Sequence, residues 1–153
     1  MKLSKRTTEV LKNFSSINQN IQFKQGKVLS TISSQRNILA SAEIEEEFLS
    51  DFAIYDLNQL LGALSLFNNP ELTIGDTKLS IKTDTSTLNY IFADSSMIVS
   101  PPKKTLDFPD PEIKFSLKKE ELDSVLRGAH VLQLPELAIV GDGNLTHVVA
   151  TDT

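Results

Sequence analysis

The side chains that could carry covalent chemistry are few and far apart. His130 and His147 stand alone, and there is no cysteine. A hydrolase would need one of these histidines beside a serine or an aspartate. Yet the sequence contains no Gly-x-Ser-x-Gly elbow, no Walker-type glycine loop and no His-Glu-x-x-His pair. Each histidine also falls in a stretch with helix or strand spacing, where a structural histidine is the commoner occupant. Without thiolates there is neither a disulfide framework nor a cysteine metal site, and two separated imidazoles cannot hold zinc unaided. No catalytic residue, metal or cofactor is therefore expected. What remains is charge. Residues 1–27 carry six basic groups (Lys2, Lys5, Arg6, Lys12, Lys24, Lys27) against Glu9 alone, whereas residues 28–101 carry three basic and ten acidic groups. The whole chain has a net charge of −5, but local fields steer a polyanion more than the total does. The chemistry this pattern permits is weak, salt-screened contact with phosphate along the amino-terminal segment.

The elements that must position those charges can be read from periodicity. From Ser4 to Ile17, Val10, Leu11, Phe14 and Ile17 recur at three- and four-residue spacing, which predicts an amphipathic helix. At 100° per residue, Lys5, Glu9, Lys12 and Ser16 share the opposite face. Ile21–Phe23 and Val28–Ile32 alternate as strands around Gln25-Gly26-Lys27, a predicted hairpin turn. Strands are also expected at Ile38–Ala42 and Phe52–Tyr55, with the acidic run Glu43–Glu47 between them as a solvated loop or edge. Asp56 caps a second helix with the stripe Leu57, Leu60, Leu61 and Leu64, stopped by Asn68-Asn69-Pro70. Gly62 within it suggests close approach to a sheet. Three strands follow, at Leu72–Ile74, Leu79–Lys82 and Leu88–Phe92.

Pro101, Pro102, Pro109 and Pro111 make residues 93–112 an extended connector between a first domain, 1–92, and a second section, 113–153. That section should hold a strand at Ile113–Leu117 and a helix with the stripe Leu122, Val125, Leu126, Ala129 and Leu132, ended by Pro135. Strands at Leu137–Val140 and Leu145–Ala150 then turn at residues 141–144. It restates the first section. Lys114-Phe115-Ser116 mirrors Lys2-Leu3-Ser4, Val125-Leu126-Arg127 mirrors Val10-Leu11-Lys12, and Gly143-Asn144 mirrors Gly26-Lys27, at offsets of 112, 115 and 117. It stops before a second helix, so a truncated second domain is expected. The amino terminus has no apolar h-region, and no apolar run approaches the ~20 residues that span a bilayer. A soluble, cytoplasmic protein is the expectation.

The wording of several segments closely resembles the sliding clamps of T-even-type bacteriophages, which are DNA polymerase processivity factors. Met1-Lys2-Leu3-Ser4-Lys5, Thr7-Thr8, Leu11-Lys12-Asn13-Phe14 and Ile17-Asn18 carry the resemblance, and above all Ala53-Ile54-Tyr55-Asp56-Leu57-Asn58 with Leu61-Gly62 and Leu64-Ser65-Leu66. Residues 24–50 are not distinctive. The resemblance implies an α+β sliding-clamp fold, with antiparallel sheets outside and helices lining a ring, assembled as a homotrimer. It implies a non-catalytic protein that encircles double-stranded DNA and tethers the replicative DNA polymerase in the cytoplasm of an infected bacterial host. An ATP-driven clamp loader and the phage late-transcription machinery are the further partners it implies. On this footing Lys5, Arg6 and Lys12 are the DNA-facing candidates of the first section, and Lys118, Lys119 and Arg127 are their counterparts in the second. A ring that holds DNA by topology needs only a sparse positive lining, since phosphate contacts carry no sequence information. Met97, Ile98, Val99, Leu106 and Phe108 in the connector either cover a sheet edge or border a docking site for a partner's hydrophobic peptide. The alternative is a non-catalytic phage adaptor that uses the clamp fold as a scaffold.

Overall fold

The computed structural model describes residues 1–102, 110 and 113–152. The chain divides into two units, Met1–Thr105 and Leu106–Thr153. In the first, helix α1 (Lys5–Ile17) starts where extended Ser4 turns its side chain to accept the Thr7 N–H at 3.2 Å. Its buried face consists of Thr7, Leu11 and Phe14, with Val10 and Ile17 half-buried beside them.

Strands β1 (Ile21–Phe23), β2 (Gly26–Ile32), β3 (Leu39–Phe48) and β4 (Phe52–Ile54) follow. The hairpin expected at Gln25-Gly26-Lys27 does not form. Strand β1 pairs antiparallel with β4, Phe23 opposite Phe52, and β2 pairs with β3, Ile32 opposite Leu39. Together they make one long hairpin whose reversal lies at residues 33–38. There Ser33 Oγ accepts the N–H groups of Asn37 and Ile38 at 3.2 and 3.1 Å, and Arg36 takes a left-handed φ of 58°. Gly26, at φ 115°, shifts the ladder by a bulge instead of reversing it. The Lys24-Gln25 link is tied to the opposite strand pair by Asp51, which accepts from Lys24 Nζ at 2.7 Å and from the Gln25 N–H at 2.8 Å. The acidic run is likewise no loop. Glu43–Glu47 lies inside β3, where alternation turns Glu43, Glu45 and Glu47 outward.

Asp56 caps α2 (Leu57–Ser65) by accepting the Gln59 N–H at 2.9 Å. The helix ends several residues before the predicted stop at 68–70, and its buried anchors are Leu57 and Leu60. Gly62 is exposed, and a Cβ there would meet nothing within 4 Å, so close approach to a sheet does not explain this glycine. Strands β5 (Glu71–Ile74), β6 (Lys78–Lys82) and β7 (Thr87–Ile91) form an antiparallel sheet in that order. Met1 adds to its β5 edge: its nitrogen donates to Leu72 O at 2.8 Å, and its carbonyl accepts the Leu72 N–H at 2.7 Å. The core gathers Leu11, Phe14, Leu29, Ile54, Leu57 and Ile81 with a cluster of aromatic rings. Phe23 stacks on Phe52 at 4.5 Å and meets the edge of Phe48 at 4.9 Å. Past β7, a 3-10 turn (Ser95–Met97) leads into residues that return to the strands. The Val99 N–H donates to Asn20 Oδ1 at 3.3 Å, and Ser100 Oγ to Gln22 Oε1 at 2.8 Å.

The second unit comprises α3 (Lys119–Leu132) and an antiparallel pair, β8 (Glu136–Gly141) with β9 (Thr146–Thr151). The strand expected at Ile113–Leu117 is not formed. Helix α3 ends at Gln133, whose left-handed φ of 55° turns the chain before Pro135. Of its predicted stripe, Ala129 is buried and Leu122 and Val125 are half-buried, while Leu126 and Leu132 are exposed. Asp142 Oδ1 organises the β8–β9 turn by accepting the Asn144 and Leu145 N–H groups, each at 2.8 Å. The mirrored stretches thus share element order but differ in pairing: β8 and β9 form a hairpin, and β1 and β2 do not.

Candidate nucleic-acid interface

Helix α1 is held by one face and free on the other. Lys5, Arg6 and Lys12 are all exposed, because the residues three and four positions from Leu11 and Phe14 must point into the core and leave these outside. Lys5 and Lys12 stand roughly 10 Å apart along the axis at about 1.5 Å rise per residue. Lys5 is within 3.9 Å of Glu9, one turn on. So exposed a pair exerts little mutual hold and leaves the lysine available to other anions. Among the described residues, Arg6 and Lys12 have no carboxylate within salt-bridge distance.

The start of α1 is organised by a residue that periodicity alone did not single out. Glu46 of β3 accepts hydrogen bonds from the Ser4 N–H and the Thr7 hydroxyl. Partial burial pushes its carboxyl up, but these bonds outweigh burial and hold it below the ordinary glutamate range. A signal for it was present. Along β3, Ala42, Ile44, Glu46 and Phe48 share one parity, and Ile44 and Phe48 are buried. Glu46 is therefore an acid on the core side of an alternating strand, where a carboxylate needs donors.

In the second unit Lys118, Lys119 and Arg127 are exposed on or beside α3. Lys118 lies 3.8 Å from Glu121, and Lys119 contacts Asp123. Among the described residues, Arg127 has no such partner. His130 and His147 are both exposed rather than core residues, and the described residues hold no group of three or more His, Cys, Asp or Glu side chains placed to bind a metal. In the connector Ile98 is buried, Val99 is half-buried and Met97 is exposed. Leu106 and Phe108 lie outside the described residues. No described helix is long and apolar enough to cross a membrane.

The described site is thus a helix seated on antiparallel strands, with Lys5, Arg6 and Lys12 exposed on its outer side. Residues 2–100 match the DNA polymerase processivity factor family, and the chain belongs to that family. It is 38% identical over 148 residues to the sliding clamp of Escherichia phage RB69, covering 95% of this chain and 64% of that protein. Against the sliding clamp of Enterobacteria phage T4 the identity is 39%, over 91% of this chain and 61% of the relative. Against that of Vibrio phage KVP40 it is 32%, over the whole of this chain and 71% of the relative. The chain thus spans less than two thirds of the RB69 and T4 proteins.

Proposed function

We propose that this chain is the DNA-facing part of a sliding clamp, a non-catalytic processivity factor that encircles duplex DNA and tethers a replicative DNA polymerase. The observation that carries the reading is α1. Its apolar face is fixed to the strands of the first unit, within the stretch that matches the family, and Lys5, Arg6 and Lys12 are exposed on the other side. Such a surface attracts any duplex without reading its sequence, which suits a protein that must slide. In the second unit Lys118, Lys119 and Arg127 take the same role, since the exposed contacts of Lys118 with Glu121 and of Lys119 with Asp123 hold those lysines as weakly as Glu9 holds Lys5. The outward acids Glu43, Glu45 and Glu47 of β3 discourage DNA from adhering to that surface.

Assembly as a homotrimeric ring, loading by an ATP-driven clamp loader, and service to late transcription in the cytoplasm of the infected host belong to the same proposal. Among the described residues β7 has no strand on its outer edge and exposes Ile91. An antiparallel strand of another subunit could complete such an edge. Residues 93–112 form the partner-docking connector in this reading, with Met97 accessible and Ile98 and Val99 as its anchors to the first unit; Leu106 and Phe108, the other apolar candidates, lie outside the described residues.

The test is Lys5→Glu combined with Lys12→Glu, assayed by primer extension with the cognate polymerase and loader across a salt series. The variant should fold normally and support shorter products, and the deficit should widen as salt rises. Unchanged product length at every salt concentration would remove α1 from the DNA-facing surface.

A further inference from the structure

Helix α1 begins with half of a capping box. In the complete motif the N-cap hydroxyl takes the N–H of the third helical residue, and a Glu or Gln at that third position returns to the N-cap N–H. Ser4 makes the first contact, to Thr7. Thr7 occupies the third position, however, and has no carboxylate to send back. The missing acceptor arrives from β3: Glu46 takes the Ser4 N–H with one oxygen and the Thr7 hydroxyl with the other. Ser4 Oγ and Thr7 Oγ1 lie 3.1 Å apart, which closes the set of contacts around a wholly buried Thr7.

We infer that Glu46 is the positioning residue for the basic face of α1, a long-range capping group that makes starting the helix and seating it on β3 a single event. A helix capped only from within could form its first turn before docking and leave that turn free to shift on the sheet. Here the orphan donor at the helix start is satisfied by the sheet itself. The carboxylate also sits at the positive end of the helix dipole, where negative charge is favoured. Lys5 and Arg6 immediately follow the cap, so the direction in which the chain leaves Ser4 sets where their charges stand. Glu46 thus acts on DNA through the two residues beside the helix start, without touching DNA. This inference rests on the reading of α1 as the DNA-facing helix.

Three variants of the full chain test it. Glu46→Gln keeps the shape and removes the charge and one acceptor; Thr7→Val removes the hydroxyl that donates to Glu46 and accepts from Ser4; Ser33→Ala deletes a turn hydroxyl away from the first turn of α1 and serves as the stability control. Amide hydrogen exchange is read first. The Ser4, Thr7 and Thr8 amides should exchange about fivefold faster in Glu46→Gln and in Thr7→Val, the scale of one net hydrogen bond, with those of β6 unchanged. Processive synthesis across a salt series is read second and should fall about fivefold in Glu46→Gln and not at all in Ser33→Ala. Wild-type exchange at the first turn, or an equal loss of synthesis in Ser33→Ala, overturns the inference. Should Glu46→Gln fail to fold, Thr7→Val decides by the same two readouts. If first-turn exchange quickens while Lys5→Glu with Lys12→Glu leaves synthesis unchanged, the DNA-facing reading fails and takes the positioning role with it. If only the lysine variant loses synthesis, the interface stands and the role of Glu46 falls.

Discussion

Three carboxylates of the first unit each hold two pieces of chain together. Asp51 is kept below the ordinary aspartate range by the Lys24 ammonium and then by the Gln25 N–H, and it ties the β1–β2 link to the turn before β4. Asp56 is lowered by the Gln59 N–H and then by the Gln19 side chain, at the cap of α2. Glu46 is lowered at the cap of α1 because its two hydrogen bonds outweigh the upward push of burial. A depressed carboxyl favours the folded state above its unfolded titration range, and that contribution is lost as pH falls through the folded one. The urea midpoint should therefore be at its plateau at neutral pH and drop on acidification through and below the ordinary carboxylate range. Asp51→Asn together with Asp56→Asn should flatten that drop, since asparagine still caps α2 but cannot ionise. An acid limb as steep as wild type would show that these two groups do not report folding.

At the scale of elements, the three helices were legible because each carries both a 3.6-residue stripe and its own start signal or stop. Asp56 caps α2 where the sequence placed it, Ser4 caps α1 at the edge of the stretch with helical spacing, and Gln133 closes α3 ahead of Pro135. Most strands were legible as extended segments, the second half of β3 and the unformed strand at 113–117 excepted, but not as partners. Alternation tells which face of a strand is apolar and says nothing about which strand lies beside it, so the glycine at position 26 looked like a turn and is a bulge. Gly62 shows the same limit in a helix. It lies in the interior of α2, exposed, with open space where a Cβ would stand. Gly62→Ala should therefore stabilise the protein by about 0.5–1 kcal/mol through helix propensity and a less flexible unfolded chain. The measurement is the shift in denaturant midpoint; a destabilised variant would mean that α2 needs the glycine for a contact beyond this chain.

At the scale of the whole molecule, the two units differ in how far they bury their apolar residues. The first closes a core around Leu11, Ile54, Leu57 and Ile81, each no more than 1% exposed, whereas in the second Ile139, Leu145 and Leu132 are 56%, 61% and 68% exposed. Exposed apolar surface of that extent favours association. Light scattering of the 16.9 kDa chain across a concentration series should therefore show mass above the monomer value. A plateau at three times that mass would support ring closure by this chain. A monomer at every concentration would mean that ring assembly needs contacts this chain does not supply.

The sequence by itself determined the three helices, the basic amino-terminal segment set against an acidic body, the lack of any recognised catalytic motif, and the resemblance that led to the family. All of these are written in short windows, where spacing of a few residues decides which side chains share a face. Only the tertiary structure decided that β1 joins β4, that the acidic run is a strand, and that Glu46 completes the cap of a helix 42 residues before it. Those contacts link residues far apart in the chain, and what selects them is the joint burial of Phe23, Phe48 and Phe52 together with the need of a half-buried carboxylate for donors. No periodicity within one segment records a partner that lies in another.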